Sequence, residues 1–118
     1  MSDAGLFIGW GETVRGREGE AVRTFGETIE YLAGLQADGA IESFEPVFLE
    51  PHGGDLQGFF FLRGDAEKLA TLRVDEDFAA MIMRAGLIAD NVGVVGASTA
   101  ARLERLMERY TEAVGAFA

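Results

Sequence analysis

Leu56-Gln57-Gly58-Phe59-Phe60-Phe61-Leu62-Arg63 decides the fold. In a strand successive side chains point to opposite faces, so Leu56, Gly58, Phe60 and Leu62 share one side. The other side receives Gln57, Phe59, Phe61 and Arg63, and it still holds two phenylalanines. A sheet with one dry and one wet face alternates apolar and polar residues cleanly. This strand needs cover on both faces.

Working outward, Pro51-His52-Gly53-Gly54-Asp55 is dense in turn residues and closes a hairpin with a preceding strand over Glu42 to Leu49. Pro46 cannot donate to a ladder and places that strand at an edge or a bulge. Upstream, Val22, Phe25, Ile29, Leu32 and Leu35 recur at helical spacing between about Arg17 and Asp38, with Gly39 as a stop. Before that helix, Gly5 to Glu12 reads as a first strand, with Leu6, Ile8 and Trp10 on one face and Phe7 among glycines on the other. Downstream, Asp65 is a candidate cap for a short helix through Leu69 and Leu72. Asp75-Glu76-Asp77 opens a second turn bearing Phe78, Met81, Ile82 and Ala85, so a broken or kinked helix ending at Gly86 is expected. Leu87 to Ala97 returns to strand character. Ser98 or Thr99 then caps a last helix striped by Leu103, Leu106, Met107, Tyr110, Val114 and Phe117.

The order is β-α-β-β-α-β plus one helix: an α+β, ferredoxin-like sandwich with a four-stranded antiparallel sheet and an extra C-terminal helix, spanning residues 1–118 as a single domain. Right-handed crossovers put the helices on one face of the sheet. The other face would be an apolar patch larger than monomers usually expose. Burying about 600 Å² of it at roughly 25 cal/mol per Å² contributes on the order of 15 kcal/mol gross, much of which association costs remove. A second copy, meeting the first sheet to sheet about a two-fold axis, is the expected cover. The last helix folded back across the sheet is the rival.

With this order, the two-sided strands at 5–12, 56–63 and 87–97, and the stretches Gly64-Asp65-Ala66-Glu67-Lys68-Leu69, Asp75-Glu76-Asp77-Phe78 and Asp90-Asn91-Val92-Gly93-Val94-Val95, the chain resembles the dimeric α+β barrel superfamily. The resemblance covers almost the whole chain. It implies a small apolar pocket between sheet and helices and no particular reaction, because the superfamily spans cofactor-independent monooxygenases, lactone isomerases, haem-handling enzymes and many proteins of unknown role.

Composition narrows the function classes. The 118 residues are 48% hydrophobic and 25% charged, a globular balance, and they contain no cysteine, which excludes thiolate chemistry and disulfides. Twenty acidic against ten basic residues give a net charge of -10, which disfavours nucleic acid as a partner. The run Leu6-Phe7-Ile8-Gly9-Trp10 is too short for a membrane span and lacks the marks of a signal peptide, so a cytoplasmic protein is expected.

His52 is the only histidine and hence the first candidate for proton transfer, although its turn setting favours an exposed, idle side chain. One histidine excludes multi-histidine metal centres, and no metal site or cofactor is expected. Trp10, between Gly9 and Gly11, has room beside its indole for a ligand or a packed helix. Arg63 is a candidate for a ligand carboxylate, with pairing to a nearby acid as its commoner use, and Asn91 for a pocket hydrogen bond, with a turn as its commoner use. Tyr31 is expected to present its hydroxyl to solvent, and Met81 and Met83 to fill the core. Two function classes follow: a homodimer binding a small apolar ligand or serving a non-catalytic role, and a monooxygenase- or isomerase-like enzyme on an apolar or aromatic substrate using Trp10, His52 or Asn91. Assembly into a larger acidic complex is a third, and needs an exposed stripe on the last helix.

Overall fold

The computed structural model describes residues 2–117. Four strands, β1 (Ala4–Trp10), β2 (Ser43–Phe48), β3 (Gly58–Gly64) and β4 (Gly93–Ser98), and four helices, α1 (Glu18–Ala37), α2 (Ala66–Arg73), α3 (Glu76–Ile88) and a final α4 (Ala100–Gly115), follow one another in the order β1-α1-β2-β3-α2-α3-β4-α4. The sheet order is β2-β3-β1-β4 and every pairing is antiparallel. Pro46 therefore sits on an edge strand, where its missing N–H is harmless.

Register sets the two faces. Leu6 lies opposite Leu62 and Gly96, and Ile8 opposite Phe60 and Val94. These side chains meet Leu32 of α1, Leu69 and Leu72 of α2, and Phe78 and Met81 of α3 in one buried core. Phe7, between Phe61 and Val95 in register, belongs to the opposite face. Leu56 departs from the alternation expected of it. It precedes the strand, and its Cδ1 approaches Gly9 on that opposite face.

The helix boundaries follow their caps. Gly39 (φ +81°) takes the left-handed turn that stops α1. Asp65 accepts from the Lys68 amide and Asp75 from those of Asp77 and Phe78, so the expected kinked helix is two capped helices. Gly86 does not end the second. α3 continues to Ile88 because Ile88 is buried on the core side, and the chain reverses instead at Asn91, whose φ of 55° is left-handed. Leu87 is thus helical, and β4 begins only at Gly93. Thr99 occupies the N-cap of α4 without a side-chain hydrogen bond. Met81 fills the core as expected, whereas Met83, two residues on, faces outward.

Tyr31 also departs from expectation. Its hydroxyl is buried with no hydrogen-bond partner among the described residues, because the residue packs against the hydrophobic core. Burial first, then the carboxylates of Asp75 and Asp77, raise its ionisation above the ordinary phenol value. The unfolded chain ionises first, so stability is full below about pH 10 and falls as pH rises past it. Tyr31→Phe removes the orphaned oxygen. It should stabilise the protein by about 1 kcal/mol at neutral pH and flatten the alkaline decline, as urea unfolding at pH 7 and above 10 would show.

Candidate functional site

α4 touches the rest of the fold at β4 and through Arg105, whose guanidinium reaches Asp3 at 3.4 Å. Its stripe of Leu103, Leu106, Met107, Tyr110, Val114 and Phe117 is exposed throughout. The helix does not fold across the sheet. A radius of gyration of 16.4 Å, against about 13 to 14 Å for a compact chain of this length, reflects its projection.

The face away from the helices is consequently bare. At its centre Phe7 and Phe59 stack at 4.9 Å, and the rings of Phe7 and Phe61 lie over glycines. A Cβ on Gly5 would come 2.5 Å from Cζ of Phe61, and one on Gly9 would come 2.6 Å from Cε1 of Phe7. Glycine at those two positions lets the aromatic rings lie down, which makes the surface flat. In register with them are Val47 and Glu45 on β2, Arg63 on β3, and Val95 and Ala97 on β4. One acid and one base are the only charges among these strand residues, on a chain whose net charge is -10.

On the other side of the sheet, a hollow of about 350 Å³ opens between β1, β3, α1 and α3. Its floor is an aromatic cluster. Trp10 lies 5.0 Å from Phe60, 5.7 Å from Phe48 and 6.1 Å from Phe25, and Phe25 stacks on Phe60 at 5.4 Å with 19° between planes. Met81, Ile82, Ala85 and Ile88 of α3 form the facing wall. Exposed Val22 and Phe48 stand at its rim, so Val22 belongs to the mouth rather than to the core. The room for the indole does not come from Gly9 and Gly11. Gly9 is covered by Phe7, and Gly11 abuts the carbonyls of Asp90 and Asp55. It comes from Gly58 across the strand pair, where a Cβ would sit 2.6 Å from Cζ2 of the indole.

The other sequence candidates lie elsewhere. His52 and Asn91 border a separate polar hollow with Glu12, Asp55, Gln57 and Asp90. Both ring nitrogens of His52 are engaged: Nε2 lies 2.6 Å from the Leu56 carbonyl and Nδ1 accepts from the Gly54 amide at 3.1 Å. A carbonyl only accepts, so Nε2 carries the proton and the imidazole acts as a brace for its own loop. Asn91 makes the left-handed turn before β4, close against Gly11. Arg63 is on the bare face, its guanidinium 4.8 Å above the Phe61 ring, with no ion pair among the described residues. Trp10 alone of the four lines the apolar hollow. Phe25, Phe48 and Phe60 were legible only as apolar positions on three separate elements, and their convergence is tertiary. Among the described residues no group of three or more acidic or histidine side chains is placed to hold a metal, and no helix is long and apolar enough to cross a membrane.

No family model matches the chain, and no curated protein does. Among solved structures it is similar to a dimeric protein of unknown function and ferredoxin-like fold from Bacteroides fragilis NCTC 9343. The TM-score is 0.59 at 10% identity, over 80% of this chain and 95% of that one. The fold is ferredoxin-like. At that identity the likeness carries the architecture alone, since one fold hosts many unrelated functions.

Proposed function

We propose that this protein is a homodimer, joined through the bare faces of its two sheets, that takes up a small apolar ligand in the hollow lined by Trp10. The observation that carries the ligand reading is the hollow itself: about 350 Å³ walled by aromatic and aliphatic side chains, more than twice the roughly 150 Å³ apolar cavity that admits benzene. The dimer reading rests on the flat aromatic face, which is nearly free of charge on a strongly acidic chain. Two copies repel each other through most surfaces and least through this one. A dimeric neighbour of the same fold is in keeping with it. The stripe of α4 adds to the apolar surface that a second copy would dry.

Binding is favoured over catalysis by the titratable groups. Among the described residues Glu18 is the one such side chain on the lining, it is exposed, and both its carboxylate oxygens accept from the Gly16 amide. His52 is spent on its loop. An acid-base enzyme needs a titratable group inside the pocket within reach of a second polar side chain.

Sedimentation velocity should give twice the chain mass of 12.7 kDa. An uncharged solvatochromic dye built on two fused aromatic rings, such as 6-propionyl-2-(dimethylamino)naphthalene, should bind at one per chain with blue-shifted emission, quenching Trp10, the only tryptophan. A monomer would remove the first half of the reading, and failure of the dye to bind would remove the second.

A further inference from the structure

The hollow is apolar, and it is also one-sided in charge. Among the described residues its lining holds no lysine, arginine or histidine, and its single ionisable group, Glu18, is acidic. The buried polar group in the wall is already used, since the hydroxyl of Thr28 donates to the Thr24 carbonyl at 2.8 Å. We infer that the site discriminates by charge as well as by polarity: it takes uncharged compounds of about two fused aromatic rings and rejects carboxylates of the same shape. This deepens the ligand-binding reading above and rests on it.

Size and wall shape set the first half of the claim. The near-parallel Phe25 and Phe60, with Trp10 tilted by 52° against Phe60, present flat surfaces to which a planar ring packs in offset or edge-on contact. Electrostatics sets the second. A carboxylate entering the hollow gives up its hydration and finds no cation to replace it, while Glu18 and the net charge of -10 oppose its approach. A like-shaped alcohol loses far less on desolvation. The discrimination should therefore exceed tenfold.

The test compares 2-naphthalenemethanol with 2-naphthoate on the intact protein, by calorimetry and by the single Trp10 indole N–H signal in a ¹H–¹⁵N spectrum. The alcohol is expected to bind and to shift that signal, and the carboxylate to bind at least tenfold more weakly. A gain-of-function variant keeps the outcome from resting on loss alone. Val22→Lys places a cation at the exposed rim, and should raise the affinity for naphthoate relative to the alcohol by about three- to fivefold. Equal or tighter binding of naphthoate to the unaltered protein overturns the charge selectivity and leaves the hollow as a ligand site. If neither compound binds, or if binding leaves the Trp10 signal unmoved, the ligand-binding reading falls as well.

Discussion

Phe59→Asp should leave a folded monomer. Phe59 lies opposite Val47 and Gly9 on the bare face and stacks on Phe7, so it is near the middle of the surface a partner would cover. In a two-fold interface one substitution introduces two carboxylates. Neither has a cation at hand within its own chain: Arg63 is four residues along the strand, about 13 Å away, whereas Glu45 is a diagonal neighbour of like charge. Burying two unpaired charges costs several kcal/mol, and about 4 kcal/mol already weakens association roughly a thousandfold. The half-buried site faces away from the helix-side core, so circular dichroism should show native secondary structure. Phe59→Leu keeps the face apolar and should keep the dimer, with a smaller loss from the missing ring stack. Sedimentation equilibrium of the two variants decides the matter. If Phe59→Asp remains dimeric at micromolar concentration, the sheets are not the interface.

The face that this prediction concerns was readable from Phe59 and Phe61 because strand alternation depends on nothing beyond local geometry. What was not readable was its flatness. That Phe61 reclines over Gly5 and Phe7 over Gly9 depends on which residue of β1 faces which of β3, and a register is a tertiary fact. The same limit applies to the hollow. Trp10 stood out beside its glycines, but the space it uses belongs to Gly58, 48 positions along the chain. Caps behaved differently. Asp65 and Asp75 were legible because each acts on amides two or three residues away. Gly86 misled for the converse reason: an exposed glycine permits a helix end without requiring one, and the burial of Ile88 carried α3 past it. A lone histidine is conspicuous in any sequence, yet what fixes the role of His52 is a pair of backbone contacts inside its own loop.

Glycine also supplies the sharpest test of how the sheet builds the hollow, because one substitution should have opposite signs at two positions. At Gly58 a Cβ would lie 2.6 Å from Cζ2 of Trp10 and 2.7 Å from the Val47 carbonyl oxygen. The indole can swing away, but the carbonyl is backbone in the paired strand, so β2 itself has to shift. Gly58→Ala should cost about 1–3 kcal/mol, as overpacking does, and lower Tm by several degrees. Trp10 has to leave its place against Phe60, so its emission should move to the red and uptake of an uncharged ring compound should weaken at least tenfold. Gly86→Ala meets nothing within 4 Å on the exposed side of α3, where replacing glycine by alanine favours a helix interior by roughly 0.5–1 kcal/mol. Thermal unfolding of the two variants beside the parent protein measures both signs. Should Gly58→Ala be as stable as the parent with Trp10 emission unchanged, the indole does not lie across that glycine, and the floor of the hollow is not the one described.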